Sequence, residues 1–431
     1  MPQRNLKVIA KLRLYSRHIL LLLFFYVSSL SFALAESQIS NSPGDLDSPQ
    51  CGTQLSDEVI VASELCLSLV YQGAPLVKPR QMIQWTDRYF LISDMGGWVS
   101  GKGVIWLFDR NNSQFRSLIS GLSLPHGLVR FGKDQLIIGE RHQVTRIRLD
   151  ASFSVSEQQV LISRNDFGSH KHPLSAFVLD ADNNLILNIG APTDQCREAL
   201  ENSVCNDRNE FAQVRRYFYA ENKDRWSADY QVLGYGLRNS MALAVHDSGV
   251  ILQAENGMDF DRVHSPFETI NKLDINKDFG WPYCHSDLQS NILWQEHQSC
   301  QGFDAPLALL PPHGAPLSMI YYQGDLMPSL SGKLIVPLHS YQKPGHRVLA
   351  VTVDINGLPI INPEQQYQYS TTGGYQKYRS FPNNMGADFE YLISDRTVKK
   401  SLSVAGIIEA FDGSIYMLDD INKSILQLKP R

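Results

Sequence analysis

The chain has 431 residues, of which 43% are hydrophobic and 19% are charged, so it is long enough to bury a large core. Its formal net charge is −5, and no basic run follows residue 35, which argues against binding to nucleic acid. The six cysteines include no CxxC pair, and a zinc site built from cysteines is therefore not expected.

A basic segment, an apolar run and a group of small residues follow one another at the N-terminus. The basic residues are Arg4, Lys7, Lys11, Arg13 and Arg17; the apolar run is Ile19–Val27, and Ala33-Leu34-Ala35 precedes Glu36. This order is typical of a secretory signal peptide, which we assign to residues 1–35. Residues 36–58 are rich in Ser, Pro and Asp and are assigned as a linker. The alternative is an uncleaved membrane anchor, and in both cases we expect a periplasmic or secreted protein.

From residue 59 to residue 431 a short apolar strand that ends in a polar residue recurs six times. The six strands are Phe90–Asp94, Leu136–Glu140, Leu185–Ile189, Val250–Glu255, Leu334–His339 and Ile415–Asp419. Short apolar runs bounded by Gly, Asp and Asn are typical of buried strands. Their recurrence every ~45 to 85 residues predicts an all-β fold, a six-bladed β-propeller with insertions in its later blades. We expect these to be the inner strands, whose polar ends meet around a central channel.

Each apolar strand has an approach segment before it and an alternating strand after it. The approach segments are Pro79–Met82, Pro125–Leu128, His172–Leu174, Leu237–Met241, Ala315–Leu317 and Val404–Gly406. The alternating strands are Val104–Phe108, Val144–Leu149, Val214–Phe218, Ile270–Leu273, Arg347–Val353 and Ser424–Leu428. A large sandwich or two unrelated all-β domains are the alternatives. The same order of three segments in every copy favours the propeller over both.

The cysteines all follow the predicted signal peptide. An even number of cysteines in an exported protein indicates disulfides. Neighbours in sequence favour the pairs Cys51–Cys66, Cys196–Cys205 and Cys284–Cys300.

The fourth copy carries the residues best suited to chemistry. Arg238 and Asn239 directly precede a buried strand and offer a fixed set of donors to an anion or a carbonyl oxygen. The turn Glu255–Asp259 that follows is rich in carboxylates and backbone carbonyls, the ligands that calcium prefers, although its spacing differs from an EF-hand. The alternative is an arginine that binds loop carbonyls beside an acidic turn in solvent.

At these residues the chain resembles the glucose/sorbosone dehydrogenases, exported six-bladed propellers that use pyrroloquinoline quinone (PQQ). The resemblance spans about Leu65 to Lys429 and rests on a series of motifs in order. They are Gly236–Asn239, Glu255–Asp259, Asp278–Cys284, Leu310–Leu317, Tyr322–Asp325 and Leu338–Tyr341. The resemblance implies an enzyme that oxidises a sugar or related polyol at a CH–OH group, with PQQ and calcium as cofactors. It also implies an electron acceptor, either a quinone or a cytochrome.

The resemblance also implies roles for individual residues. His172 matches the histidine that removes the hydroxyl proton while the sugar hydride passes to PQQ, and His170 is the alternative base. Arg238 and Asn239 match the pair that holds the quinone oxygens. Calcium is assigned to the turn of Gly257, Met258 and Asp259, through the backbone carbonyls of the first two. His339 stands where many relatives have a lysine that contacts a PQQ carboxylate, and the residues Arg80, Gln81 and His126 are expected to line the channel.

Two departures from the family concern cations. Ser403 and Ala405 stand where relatives carry arginines that pair with PQQ carboxylates, and Ser175 or Ala176 replaces another arginine. Arg347, Arg379 or Lys343 would have to replace these charges, and Arg347 is included among the predicted cofactor ligands.

The same departures favour a rival function, a propeller that has lost the cofactor and binds a carbohydrate or a protein. A third possibility is a calcium-dependent lactonase-like hydrolase. That activity needs several carboxylate and amide side chains on one metal, whereas the approach segments offer mainly His and Arg.

Overall fold

The computed structural model describes residues 59–163, 171–340, 346–370, 376–395 and 402–431. The predicted signal peptide and linker, Cys51, His170 and Lys343 lie outside these ranges. No helix within the described ranges has the length and apolar character needed to cross a membrane.

Six antiparallel sheets follow one another along the chain as the blades of a propeller, which confirms the predicted fold. Blade 1 consists of Pro79–Gln84, Tyr89–Asp94, Gly103–Asp109 and Gln114–Leu122, and blade 2 of Leu128–Phe131, Gln135–Gly139, Gln143–Leu149 and Val155–Ser163. Blade 3 consists of Phe177–Leu179, Leu185–Ile189, Gln213–Ala220 and Arg225–Tyr235, and blade 4 of Ala242–Val245, Ile251–Ala254, Phe267–Leu273 and Ala308–Pro312. Blade 5 consists of Ile320–Tyr321, Leu334–Leu338, Arg347–Val351 and Phe389–Asp395, and blade 6 of Val404–Glu409, Ile415–Asp419, Ser424–Pro430 and Leu65–Gln72.

The N-terminal strands tie the two ends of the propeller together. Leu65–Gln72 pairs with the C-terminal strand Ser424–Pro430 and completes blade 6. Val59–Val61 pairs with Phe389–Asp395 and gives the sheet of blade 5 a fifth strand. Closing the ring with strands from both chain ends makes blade 6 depend on contacts between residues far apart in sequence.

Shorter elements lie in the connections between the strands. Lys277–Asp278 pairs in parallel with Arg225–Tyr235 in blade 3. Two hairpins, Cys284–His285 with Gln289–Ser290 and Gln366–Ser370 with Gln376–Ser380, belong to the insertions of blades 4 and 5. The 3₁₀ helices are Arg197–Asn202, Asn206–Asn209, Glu221–Lys223, Pro328–Leu330 and Pro382–Asn384.

The predicted position of the apolar strands within each blade was wrong. The first strand of each blade, which contains or follows the approach segment, lines a small cavity of about 150 Å³ on the central axis. The apolar strands, such as Leu185–Ile189 with all five residues buried, are second in their blades. A continuous apolar run is typical of a strand that is buried on both faces. The second strand of a blade meets this condition, because it has a strand on either side and a neighbouring blade against each face. The first strand, at the channel, does not.

Polar residues at the ends of the second strands hold the approach segments in four of the blades. In each case a carboxylate accepts a hydrogen bond from a backbone N–H that lies before the first strand of the same blade. The pairs are Asp94 with Lys78 (2.8 Å), Glu140 with Ser123 (2.8 Å), Glu255 with Asn239 (3.2 Å) and Asp419 with Ser403 (3.1 Å). We refer to these four residues as the strand-end carboxylates. They fix the segments that lead to the channel.

Two of the three predicted disulfides, Cys196–Cys205 and Cys284–Cys300, are present. The pair Cys51–Cys66 stays a prediction, because Cys51 lies outside the described ranges. The four paired cysteines pack in one buried cluster that includes Trp294 and Met258. The disulfides therefore support the wall from which Met258 reaches the cavity described below.

Removing the disulfide Cys284–Cys300 should destabilise the protein. Its sequence separation of 16 residues implies a loss of about 3 kcal/mol in the free energy of unfolding for the double variant Cys284→Ala/Cys300→Ala. Urea unfolding followed by tryptophan fluorescence measures this loss. An unchanged urea midpoint in the double variant would show that the disulfide adds no stability beyond the packing of the surrounding cluster.

Candidate active site

Residues from several blades converge on one cavity of about 330 Å³. Eight of the predicted site residues line it: Arg80, His172, Arg238, Asn239, Gly257, Met258, Asp259 and His339. The structure thus brings together residues that are up to 259 positions apart in the chain. It also adds lining residues that the sequence did not single out, among them Trp98, Lys171, Glu268 and His313.

The imidazole of His172 is held with one nitrogen directed to the backbone. Its Nδ1 lies 2.7 Å from the carbonyl oxygen of Ala191, which can only accept, so Nδ1 carries the proton and Nε2 is the basic nitrogen. Burial, together with the nearby Arg238 guanidinium, holds the pKa of His172 well below its usual value, and the ring is neutral at neutral pH. Gly190 allows this approach, because a Cβ there would lie 2.7 Å from the His172 Cβ.

The guanidinium of Arg238 is buried and bound on three sides. Its Nε donates to Oδ1 of Asp194 at 2.8 Å, one Nη donates to the Asn256 carbonyl at 2.8 Å, and the other lies 3.2 Å from Oδ2 of Asp259. A guanidinium held by two carboxylates and a carbonyl keeps one orientation, so its charge faces the cavity at a fixed place.

Asp194 positions Arg238, and sequence reasoning missed it. Besides Arg238, its Oδ1 accepts from the Asp259 backbone N–H at 3.0 Å. Two buried indoles fix the surrounding backbone, since Trp281 donates to the Asp194 carbonyl at 2.8 Å and Trp294 to the Gln195 carbonyl at 2.9 Å. Asp194 lies in a connection outside the repeat, so no periodic pattern in the sequence marks it.

Asn239 is fixed by both its backbone and its side chain. The backbone N–H donates to the strand-end carboxylate Glu255, and the side-chain Oδ1 accepts from Asn188 Nδ2 at 3.3 Å. The amide nitrogen Nδ2 makes no hydrogen bond to any residue within the described ranges. Because Asn239 lines the cavity, this nitrogen is a donor for a ligand there.

A buried carboxyl group supports the turn that was assigned to calcium. Glu268 is 2% exposed, and its two oxygens accept from the backbone N–H of Gly257 at 2.7 Å and of Ala315 at 2.9 Å. Burial raises the pKa of Glu268 to about 7, and burial likewise raises the pKa of Glu255 to about 7. At the rim, Asp259 binds Lys171 Nζ at 2.7 Å as well as Arg238.

The oxygen donors around this turn suit a cation. Four carboxyl groups (Asp194, Glu255, Asp259 and Glu268) surround it, and the cations in contact with them are Arg238 and Lys171. Carboxyl and backbone carbonyl oxygens are the donors that a hard cation such as calcium prefers. The one side-chain cluster with metal-ligand spacing in the described ranges, Cys196, Cys205 and Asp207, contains a disulfide and does not suit a metal. A cation would thus rely on the backbone carbonyls of the turn.

The opposite wall is organised by Asp420, a second residue that sequence reasoning missed. Its buried carboxylate binds Lys78 Nζ at 3.0 Å, Arg80 Nη1 at 2.6 Å and His339 Nε2 at 2.8 Å. One carboxylate thus faces two permanent cations, and this wall has positive charge to offer to an anionic ligand.

The positions of the missing arginines are filled by small buried residues. Ser403 donates its hydroxyl to the His339 carbonyl at 2.7 Å, and Ala405 packs in an apolar cluster with Met95 and Leu174. Neither position leaves space for a long cation, so the cations of this wall come from blade 1 instead.

Three predicted cofactor ligands, Gln81, His126 and Arg347, do not line this cavity, although Gln81 and His126 line the axial channel as expected. His126 accepts at Nδ1 from Arg80 Nε at 3.2 Å and faces the axial channel, as does Gln81, which donates to the Ser318 hydroxyl at 3.1 Å. Arg347 lies in blade 5, 5.8 Å above the Tyr391 ring. Gln81 and His126 belong to the first-strand regions of blades 1 and 2, whereas Arg347 begins the third strand of blade 5. Arg379, another suggested substitute, is exposed away from the cavity.

The raised pKa of Glu268 has a measurable consequence. As pH rises from about 4.5 to about 7, the unfolded chain loses this proton while the folded protein keeps it, so the free energy of unfolding falls. Glu268→Gln has no proton to lose, and its unfolding free energy should fall less over this range than that of the wild type. Urea unfolding at several pH values in the presence of a chelator measures both slopes. Equal dependence of the unfolding free energy on pH in the wild type and in Glu268→Gln would show that Glu268 holds no proton in the folded protein.

Comparisons with known proteins give a family match and a shared fold. Residues 132–343 match the Glucose / Sorbosone dehydrogenase family. An iodide structure of a Trichoderma reesei carbohydrate-active enzyme of family AA12 superimposes with a TM-score of 0.68 at 14% identity, over 90% of this chain and 100% of that one. The holo PQQ domain of pyranose dehydrogenase from Coprinopsis cinerea gives 0.63 at 18% identity, over 88% and 98% of the chains. The apo form of the soluble aldose sugar dehydrogenase from Escherichia coli gives 0.58 at 14% identity, over 85% and 100%.

The TM-scores establish a shared fold, and the low identities carry nothing beyond it. None of the curated proteins matches the sequence.

Proposed function

We propose that this chain, which belongs to the glucose/sorbosone dehydrogenase family through residues 132–343, is an exported oxidoreductase that uses PQQ and calcium to oxidise a sugar or related polyol. The observation that carries the proposal is the convergence of a neutral histidine base, a fixed guanidinium and a free amide donor on one cavity. We further propose that the protein works in the periplasm or outside the cell and passes electrons to a quinone or a cytochrome.

His172 is proposed as the general base. Its Nε2 takes the proton of the substrate hydroxyl. PQQ, when bound, would accept the hydride from the carbon that bears this hydroxyl, so that the CH–OH group becomes a carbonyl. The low pKa of His172 keeps Nε2 free of a proton at neutral pH. The Ala191 carbonyl holds the ring in the tautomer that this role requires.

Arg238 and Asn239 are proposed to bind and polarise the quinone oxygens. Both offer N–H donors whose positions are fixed by other groups, and fixed donors stabilise developing negative charge without having to reorganise. The carbonyls of Gly257 and Met258, with Asp259, are proposed to hold calcium, which would add Lewis-acid polarisation when bound. Arg80 and His339 are proposed to bind a cofactor carboxylate.

A cofactor-free binding propeller is the second candidate. Ser403 and Ala405 favour it, because each fills space where a relative has a carboxylate-binding arginine. The cations of Lys78 and Arg80 beside Asp420 favour the enzyme, because they leave positive charge at the same wall.

Reconstitution separates the two candidates. Purified protein is mixed with PQQ and calcium, binding is followed by calorimetry, and dye reduction is measured over a panel of sugars. The enzyme predicts micromolar or tighter binding of PQQ and sugar-dependent reduction that is lost with a chelator and restored by calcium. Absence of PQQ binding, together with binding of a sugar alone, would support the second candidate.

A further inference from the structure

An exposed tryptophan stands at the rim of the cavity without a function in the scheme above. Trp98 lies in the blade 1 connection of residues 95–102 and lines the cavity, yet it is 57% exposed. No aromatic ring or cation within the described ranges stacks on it. Its place at the cavity sets it apart from other exposed apolar side chains, because a ligand in the cavity can cover the flat face of the indole.

The backbone of this connection is fixed, so the indole is presented in one place. The Gly96 N–H donates to Oδ1 of Asp94 at 2.8 Å, and the Gly101 N–H donates to the Leu122 carbonyl at 3.1 Å. Gly96 has φ +63°, and a Cβ there would lie 2.0 Å from the Lys102 carbonyl oxygen. Only glycine fits this close approach, and the loop therefore keeps a shape that a side chain at residue 96 would break.

The other side of the opening carries polar groups. Lys171 and Asp259 form an ion pair at 2.7 Å, are exposed, and line the same cavity. Asp259 follows the second strand of blade 4, which lies opposite blade 1 in a ring of six. The apolar face of the Trp98 indole thus lies on one side of the opening, and the Lys171–Asp259 ion pair, which can form hydrogen bonds to a ligand, lies on the other.

This combination matches the chemistry of a saccharide, which has an apolar C–H face and hydroxyl groups at its edge. At about 330 Å³ the cavity is near the lower end of the ~300–1,000 Å³ range of ligand sites, so a cofactor and one reacting ring would fill it. We propose that Trp98 is a stacking platform for a second sugar ring that projects from the cavity, so that the preferred substrate is longer than one sugar unit. This inference rests on the proposed function.

The test compares Trp98→Ala and Trp98→Phe with wild type in the PQQ- and calcium-loaded enzyme. Trp98→Ala should raise KM by roughly three- to tenfold for the best disaccharide among maltose, cellobiose and lactose, because one aromatic contact is lost. Its kcat for that disaccharide should stay within about twofold of the wild-type value. The KM for glucose should be unchanged, and Trp98→Phe should recover most of the disaccharide affinity. Val99→Ala is the matched control, because Val99 is 61% exposed on the same loop but does not line the cavity.

A second measurement does not depend on turnover. Calorimetry of cellotriose and maltotriose binding to wild type and Trp98→Ala should show the same three- to tenfold loss of affinity. Equal KM and affinity in both proteins, or a wild type that prefers glucose, would overturn the platform while leaving the oxidoreductase in place. A wild type that oxidises no sugar but binds the trisaccharides through Trp98 would overturn the proposed function and leave the platform.

Discussion

Replacing His172 with alanine is expected to lower kcat by about a hundredfold to ten-thousandfold, the usual cost of losing a general base. PQQ should bind with nearly unchanged affinity, because the proposed contacts of the cofactor lie on Arg238, Asn239 and Arg80. Stopped-flow reduction of the loaded enzyme by sugar measures the chemical step directly, and calorimetry measures the binding of PQQ.

Two further variants sharpen this test. His172→Gln keeps a donor near the Ala191 carbonyl but supplies no base, so it should be as slow as the alanine variant. His142→Gln removes an imidazole that lies outside the cavity and should turn over like wild type. Turnover in His172→Ala within about tenfold of wild type would show that another group takes the proton.

Replacing Arg238 with alanine is expected to weaken PQQ binding and to lower kcat by about a hundredfold or more, the usual effect of losing a fixed donor to developing charge. Its second effect is on pH dependence. Burial and the Arg238 charge lower the pKa of His172, so the wild type should lose kcat/KM only in acid well below pH 6.5. Without the guanidinium this loss should begin at higher pH, because the imidazolium is less disfavoured.

Arg238→Lys is the matched control for charge. A lysine keeps the positive charge that lowers the pKa of His172, but it cannot form the fork that binds Asp194, Asp259 and the Asn256 carbonyl together. Arg238→Lys should therefore keep the wild-type pH profile, but it should bind PQQ more weakly than the wild type does. Identical acid limbs in the wild type and Arg238→Ala would contradict the electrostatic link between the two residues.

The sequence predicts the blades well because each blade repeats the same local pattern. Strands such as Leu185–Ile189, in which Asn188 is the one polar residue, are largely apolar and are bounded by turn residues, and both signals are local. Which strand faces the channel is a property of the assembled ring, and a local pattern does not contain it. For this reason the second strands were assigned to the innermost position.

The candidate site was predictable where its residues lie on the repeat. His172 and Arg238 each precede the first strand of a blade, and the resemblance to the family marked both. Asp194 lies in a long connection, and Glu268 lies within the third strand of blade 4. Their roles depend on packing between distant segments, such as the indole of Trp281 against the Asp194 carbonyl, which no spacing in the chain encodes.

The strand-end carboxylates have a consequence for how such a protein can change over evolutionary time. Each one fastens an approach segment to its own blade, as Asp94 does for Lys78 and Asp419 for Ser403. A substitution in one of these four segments leaves the other three fastened to their own blades. The ligand-facing surface can therefore be altered one blade at a time. Ser403 and Ala405 in blade 6, at positions where the family resemblance implies arginines, are the kind of local replacement that this construction tolerates.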